Sequence, residues 1–105
     1  MRLEDPIFCR DLISKGIGQM FRFKPAIMVF VFDEEQRVPL HMWFVFFPID
    51  VVYLDSRHNI VELVENLKPF SYYNPKNKAK YVVEFSAGTI YSERLVVGNK
   101  IIFFE

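Results

Sequence analysis

The longest apolar stretch of the chain runs from Pro39 to Asp55 and is interrupted by Pro48 and then by one carboxylate, Asp50. Because proline has no amide donor, both prolines are expected at strand ends, edges or bulges. The stretch therefore predicts one strand over Leu40–Phe47 and another over Val51–Leu54, joined at the second proline.

Three other segments have the apolar and β-branched composition that is typical of strands. They are Ala26–Phe32, Lys80–Phe85 and Ile101–Phe104. The acidic run Asp33–Gln36, directly after the first of them, is interpreted as a solvated turn. Segment Ile60–Leu67 suits a helix by the spacing of its apolar residues and a hairpin strand by its β-branched content, so the local pattern leaves both open.

Polar residues, glycines and prolines separate these segments. Near the N-terminus, Ile7–Met20 suits one or two turns of helix, with Asp11 as a candidate N-cap and glycines as the stop signal. Lys68–Lys78 contains two prolines and no clear periodicity, so it is predicted to be the longest loop. Shorter turns are expected at Asp55–Asn59, at Thr89–Arg94 with Thr89 as the cap, and at Gly98–Asn99.

Short strands bounded by turns, with too few helices to cover a parallel sheet on both faces, predict an all-β fold, or a β-rich fold with one short helix. A small, mainly antiparallel β-sandwich or barrel fits this pattern best. The 105 residues are 51% apolar and 17% aromatic, which predicts one domain over residues 1–105 with large rings in its core.

The charge balance bears on the class of partner. Lys and Arg number 13, and so do Asp and Glu, which removes the broad positive field that favours phosphate backbones and argues against nucleic acid. One group of residues could still form a basic and aromatic surface that binds single-stranded nucleic acid, although a solvated loop is the simpler interpretation. This group comprises Lys76, Lys78, Lys80, Tyr72, Tyr73 and Tyr81. Net neutrality also weakens repulsion between copies, which favours a homo-oligomer.

Cysteine usage and the N-terminus indicate the compartment. Cys9 is the only cysteine, so neither an intramolecular disulfide nor a cysteine-based zinc site can form within one chain. The acidic N-terminus lacks the basic and apolar regions of a signal peptide. The longest run without an acidic or basic residue other than histidine, Val38–Ile49, is shorter than the ~20 residues of a membrane-spanning helix. We therefore expect a soluble, cytoplasmic protein without a membrane span.

Two carboxylates are candidates for chemistry. Asp50 follows an apolar run, and an unpaired buried carboxylate costs several kcal/mol, so it needs a partner such as Arg22 or the turn amides beside Pro48. Glu84 lies inside a predicted strand, on the face opposite Tyr81 and Phe85, where a solvent-facing position is the default. On neighbouring strands, the two carboxylates could act as a general acid and base.

The remaining chemistry is sparse. His41 lies in the apolar block and suits a core or edge histidine better than a ligand or base, whereas His58 suits a turn. Cys9 lacks the neighbours of a reactive thiol. No nucleophile elbow, phosphate loop, dinucleotide fingerprint or metal-binding motif occurs, so we predict no cofactor, no metal ion and no identified catalytic residue.

Six short pieces of sequence occur in the same order as in one known family. They are Gly18–Arg22, Met28–Phe32, Met42 with Pro48–Asp50 and Tyr53–Asp55, Glu65–Leu67, Val83–Thr89, and Val97–Lys100. Together they make residues 18 to 103 resemble the domain of unknown function 192 family, also called the uncharacterised ACR family. The resemblance implies a small β-sandwich or barrel of jelly-roll character with one short helix, and a strand at Ile60–Leu67. It implies no activity.

The chain departs from the family pattern at two places. Where the family has Asn-Thr, this chain has Phe44 and Val45, so two polar side chains are replaced by apolar ones. A ligand contact made by that pair in relatives would be lost here, whereas a structural pair would have become core. Gly98–Asn99 likewise replaces a Gly-Asp turn.

Three functional hypotheses follow, and whether the protein is an enzyme stays open. The leading one is a non-catalytic β-sandwich that receives a small molecule or a protein. Its candidate binding residues are Arg22, His41, Asp50, Tyr72, Tyr73 and Glu84. The first rival is a hydrolase or sugar-active enzyme that uses Asp50 and Glu84, supported mainly by fold analogy. The second rival is an assembly domain in which Trp43 and phenylalanines reach a subunit interface.

Overall fold

The computed structural model describes residues 1–11, 18–20, 22 and 24–105. The described part is β-rich, as predicted. Its strands are β1 Ile7–Cys9, β2 Met28–Gln36, β3 Leu40–His41, β4 Ile49–Leu54, β5 Ile60–Leu67, β6 Tyr72–Tyr73 and β7 Ala79–Ser86, and its helix is α1 Thr89–Ser92. The predicted N-terminal helix falls largely on residues 12–17, which lie outside the described residues.

Five strands form one sheet in the order β1-β2-β7-β4-β5, and β3 pairs with β6 in a second, two-stranded sheet. Strands β1 and β2 are parallel, with Ile7 opposite Met28, whereas the other pairs are antiparallel. The sheet is therefore mixed and open, so the barrel alternative is wrong. The jelly-roll character implied by the family resemblance stays a prediction.

The large sheet carries a hydrophobic core on each face. The helix-side core includes Val29, Val52, Leu54, Val83, Phe85 and Ile90. The β3-side core includes Met28, Phe30, Met42, Val45, Val51, Tyr53 and Val82. Because β4 lies inside the sheet and is covered on both faces, all its residues are buried. Such a strand has no polar face, which is why its sequence is a nearly continuous apolar run.

The predicted strand over Leu40–Phe47 is wrong beyond its first two residues. Only Leu40–His41 is a strand, and the chain then turns, with Phe44 at a φ of 57°. The Met42 carbonyl accepts hydrogen bonds from the Val45 amide at 3.3 Å and from the Phe70 amide at 2.8 Å. These bonds close the turn and attach it to the loop after β5.

Most of the other strand predictions were right in place, and some of them differ in extent. Both Ile60–Leu67 and Lys80–Phe85 lie in confirmed strands, β5 and β7. Strand β2 continues through the acidic run to Gln36, so these exposed residues are strand and not turn. The predicted final strand Ile101–Phe104 is wrong because this segment makes only one isolated bridge, between Ile102 and Arg2. Ile7–Cys9, which precedes the candidate N-cap Asp11 of the predicted helix, is a strand that pairs with β2.

Among the described residues, no helix is long and apolar enough to cross a membrane.

Candidate functional site

The two candidate carboxylates lie on opposite faces of the large sheet. In the antiparallel pairing of β4 with β7, Asp50 is opposite Phe85 and Val51 is opposite Glu84. Directly opposed residues share a face, so Asp50 belongs to the helix-side face and Glu84 to the β3-side face. The predicted acid and base pair is therefore wrong, and the enzyme hypothesis loses the geometry on which it rested.

Asp50 accepts hydrogen bonds from three backbone amides through its carboxylate. Its side chain is 1% exposed, and one carboxylate oxygen accepts the Asn66 amide at 2.9 Å. The other oxygen accepts the amides of Gly88 at 3.1 Å and Ile90 at 2.9 Å. Neither partner considered from sequence is the one observed among the described residues: the donors are amides at the end of β5 and the start of α1, and not Arg22 or the turn beside Pro48. Asp50 thereby ties the end of β5 to the start of α1.

The same contacts correct the predicted cap of α1. Gly88, with a φ of 96°, is the N-cap residue, and a side chain at this φ would be strained. Because glycine has no side chain, Asp50 from β4 supplies the acceptor for the amides of the first turn. Thr89 instead donates from its hydroxyl to the Ser86 carbonyl at 2.7 Å.

A cavity of about 310 Å³ lies on the β3-side face of the sheet. Strands β2 and β7 supply part of its wall, and residues 18–20 and 38–45 supply the rest. Its lining is mostly apolar and comprises Gly18, Gln19, Met20, Phe30, Phe32, Val38, Pro39, Leu40, His41, Met42, Val45, Val82 and Glu84. The polar side chains in this set are those of Gln19, His41 and Glu84.

Glu84 is the buried charge of this cavity. The residue is 7% exposed, and among the described residues its Oε1 has no hydrogen-bond partner. Burial raises the pKa of the Glu84 carboxyl to about 7, and the side-chain amide of Gln19 offsets part of this shift. The solvent-facing position expected from sequence is wrong, because β7 lies inside the sheet and both of its faces are covered.

Gln19 holds one wall of the cavity in place. Its Nε2 donates to the Ala26 carbonyl at 2.6 Å, and its Oε1 accepts the Ala26 amide at 3.2 Å. This reciprocal pair fixes the segment before β2 against Glu84. Sequence reasoning gave Gln19 no role of its own, and its presence in a family-like element was the one signal that could have found it.

His41 also lines the cavity, although its side chain is exposed. Its Nδ1 accepts the Trp43 amide at 3.3 Å. In the neutral ring this leaves the proton on Nε2, which is then a hydrogen-bond donor. The cavity therefore combines a buried acid with an imidazole at the end of β3.

The other predicted site residues do not line the cavity. The Tyr73 hydroxyl donates to Glu62, which also accepts the amides of Lys76 at 3.0 Å and Asn77 at 2.9 Å. Although burial raises it, these bonds hold the pKa of Glu62 below its ordinary value. Tyr72 is exposed and Arg22 is half-buried. Of the six candidates, the cavity brings together His41 and Glu84.

A group of exposed rings, which we call the aromatic patch, adjoins the cavity. It consists of Trp43, Phe44, Phe46, Phe70 and Tyr72. The Phe70 ring lies edge-on to Phe44 at 6.2 Å and to Phe46 at 5.7 Å. In the segment after β3, Met42 and Val45 line the cavity, whereas Trp43, Phe44 and Phe46 are exposed. Phe44, which replaces a polar residue of the family pattern, therefore points to the surface and Val45 to the cavity.

Among the described residues, no group of three or more His, Cys, Asp and Glu is arranged to hold a metal ion. Cys9 is buried and forms no disulfide.

These features define a small β-rich protein with a mixed five-stranded sheet and an apolar cavity that contains a buried carboxyl group. A family model described as Uncharacterized ACR matches residues 11–103. The chain therefore belongs to the domain of unknown function 192 family, and the resemblance inferred from sequence is confirmed.

Curated relatives support the same conclusion, and two solved structures share the fold. UPF0127 proteins of the archaea Pyrococcus furiosus and Pyrococcus horikoshii are each 35% identical over 90% of this chain, covering 82% and 83% of their own lengths. A Sinorhizobium meliloti 1021 structure, described as a candidate transcription regulator, has a TM-score of 0.84 and 26% identity over 89% of this chain and 76% of its own. A Novosphingobium aromaticivorans protein of unknown function has a TM-score of 0.81 at 17% identity, over 89% and 70%, and shows the fold alone.

Proposed function

We propose that the protein is a non-catalytic module that binds a small, largely apolar molecule in the cavity beside Glu84. The observation that carries this proposal is a cavity of about 310 Å³ whose walls are apolar and whose buried carboxyl has an unpaired oxygen. Ligand sites in proteins have this composition, with hydrophobic walls and a few polar groups that set orientation, and volumes of roughly 300–1,000 Å³.

The position of the cavity also supports ligand binding. One wall is formed by β2 and β7, adjacent antiparallel strands inside the sheet, so part of the site is held rigidly before a ligand arrives. Rigid walls reduce the conformational entropy that binding must overcome. Catalysis has less support, because the second candidate carboxylate, Asp50, lies on the other face and is held by three amides.

Filling the cavity is expected to weaken binding of a small apolar probe. Val38→Trp enlarges a half-buried residue that lines the cavity, and we expect it to weaken 1-hexanol binding by roughly tenfold or more, since a bulkier side chain displaces the probe. Isothermal titration calorimetry measures the change. The wild-type protein should bind this small ligand in the millimolar range or tighter.

Val61→Trp is the matched control. Val61 is also a partly buried valine packed against the β3-side core, but it does not line the cavity. We expect its 1-hexanol affinity to stay within about twofold of wild type. Equal weakening by both variants, or a wild-type protein that binds no 1-hexanol, would contradict the proposal.

The aromatic patch supports a second candidate function, self-association. Trp43 is 59% exposed and Phe46 is 60% exposed, and contiguous exposed apolar surface marks interaction sites in soluble proteins. The formal net charge of zero adds little repulsion between two copies. We propose that a second copy of the chain covers this patch.

Polar substitution of the patch is expected to shift the protein towards the monomer. The double variant Trp43→Ser, Phe46→Ser should raise the dimer dissociation constant by roughly tenfold or more, because the removed rings carry much of the apolar contact. Sedimentation equilibrium over a concentration series measures this. Tyr91→Ser, which changes an exposed ring on α1, should have no effect. A wild-type protein that is monomeric throughout would overturn this second candidate.

We make no proposal of nucleic-acid binding. The Sinorhizobium meliloti 1021 protein, described as a candidate transcription regulator, is 26% identical to this chain. The equal numbers of acidic and basic residues in this chain do not favour binding to a phosphate backbone.

A further inference from the structure

We propose that the ligand of the cavity is an apolar amine whose protonated ammonium group donates a hydrogen bond to Oε1 of Glu84. This inference rests on the proposed function, because it names the chemical class of ligand for the same cavity. It is carried by the unpaired Oε1 of a residue that is 7% exposed and lines the cavity.

Oε1 of Glu84 is a buried oxygen without a hydrogen-bond partner among the described residues. Buried side-chain oxygens in folded proteins nearly always have a hydrogen-bond partner, and each exception calls for an explanation. Across the strands, Glu84 is flanked by Met28 on β2 and Val51 on β4, and neither side chain can donate to it. A donor on a bound ligand would satisfy the oxygen without any rearrangement of the sheet.

The surroundings of Glu84 favour a positively charged donor. The lining contains no lysine or arginine among the described residues, and the neutral side-chain amide of Gln19, which interacts with Glu84, leaves Oε1 of Glu84 without a partner. A carboxylate in apolar surroundings gains more from a charged donor than from a neutral one, because charge-assisted bonds are stronger and solvent screening is low. An ammonium group supplies both the donor and the missing positive charge.

The walls of the cavity favour a ligand that is apolar apart from its amine. Rings and branched side chains from both strands and from the segment after β3 surround Glu84, among them Phe30, Val45 and Val82. They offer contact area and no further hydrogen-bonding side chain. The cavity therefore fits a molecule with an apolar body and one polar end, the volume being that of about ten liquid waters.

The ionisable groups that face Glu84 define how pH should act. His41 lines the cavity together with Glu84, and Tyr53, Glu62 and Tyr73 lie on the same face of the sheet. Burial raises the pKa of Glu84 to about 7 and that of Tyr53 far above neutrality, whereas hydrogen bonds hold the pKa of Glu62 below its ordinary value. The charge of Glu84 is therefore expected to change between about pH 6 and pH 8.

The test compares n-hexylamine with 1-hexanol by isothermal titration calorimetry at about pH 8, where Glu84 is mostly ionised. Wild-type protein should bind the amine roughly tenfold or more tightly than the alcohol, as expected for a charge-assisted bond. Glu84→Gln should abolish this preference by weakening n-hexylamine binding roughly tenfold or more. Glu65→Gln, which removes an exposed carboxylate outside the cavity lining, should keep the preference.

A pH series tests the role of the Glu84 carboxyl. Between about pH 8 and pH 6 the wild-type affinity for n-hexylamine should fall several-fold as Glu84 gains a proton. In Glu84→Gln this dependence should vanish, and a dependence that persists in this variant would overturn the inference.

The remaining outcomes distinguish the two proposals. Equal binding of amine and alcohol overturns the amine inference and leaves the cavity proposal standing. Absence of binding by both probes overturns both. If 2-heptanone binds better than the amine, and better at about pH 6 than at pH 8, protonated Glu84 is a donor to a carbonyl and the amine class is wrong.

Discussion

Asp50→Ala is expected to lower the free energy of unfolding by about 3–6 kcal/mol, the largest effect of any single substitution proposed here. The reason is that three backbone amides, those of Asn66, Gly88 and Ile90, would lose their acceptor. A buried donor left without a partner costs about 1–3 kcal/mol; the bond of Ile90 is buried, whereas those of Asn66 and Gly88 are partly buried and are expected at the lower end of this range. Urea unfolding followed by circular dichroism measures the loss.

Two further variants keep this prediction informative even if the alanine variant does not fold. Asp50→Asn retains one acceptor oxygen and should be destabilised less than Asp50→Ala. Asp33→Asn, at an exposed position of β2, should change the free energy of unfolding by no more than about 0.5 kcal/mol. The account of Asp50 as an anchor fails if Asp50→Asn and Asp33→Asn are equally stable.

Glu84→Gln is expected to stabilise the protein at neutral and higher pH, by about 3 kcal/mol at pH 8. Burial raises the pKa of Glu84 from 4.5 to about 7 in the folded state, so ionisation favours the unfolded chain. The stability associated with this carboxyl is fully present below about pH 4.5 and is lost as the pH rises through about 7. Glutamine cannot ionise and does not incur that loss.

The measurement is the difference in free energy of unfolding between Glu84→Gln and wild type at a series of pH values. Taking the difference removes the contributions of other acids, such as Glu62, whose folded pKa is lowered. The difference should grow from about pH 4.5 to pH 7 and then level off. A difference that does not change with pH would contradict the burial of an ionisable Glu84. Glu65→Gln should show no comparable rise.

A carboxyl group that weakens the fold at neutral pH is a functional candidate on physical grounds. Perturbed carboxyls lie in structural networks as well as in binding sites, but a structural role requires partners, and Oε1 of Glu84 has none among the described residues. Asp50 shows the contrast, since it is also buried but accepts three backbone amides. The two carboxyl groups therefore differ in whether the protein itself supplies their hydrogen-bond partners.

The strands that sequence predicted best are those whose pattern reflects a single environment. Strand β4, Ile49–Leu54, is covered on both faces of the sheet, so nearly all its residues are apolar and the sequence pattern indicates a buried strand. In Leu40–Phe47 the same composition misled, because Met42 and Val45 are buried while Trp43, Phe44 and Phe46 are exposed. Composition does not reveal the positive φ of Phe44, which turns the chain there.

The site was predictable only in part. His41 and Glu84 were named as candidates, but whether Glu84 meets solvent depends on what covers β7, and the covering segments lie about 40 to 65 residues earlier in the chain. For Ile60–Leu67 the local pattern left helix and strand open, and the family resemblance decided correctly. Non-local packing, and not local propensity, fixed both features.

The most direct test of the account is a crystal structure of the protein saturated with n-hexylamine at about pH 8. The account predicts an alkyl chain in the cavity, against Phe30 and Val82, with its nitrogen about 3 Å from Oε1 of Glu84. An amine bound elsewhere on the protein, with the cavity free of it, would contradict the account.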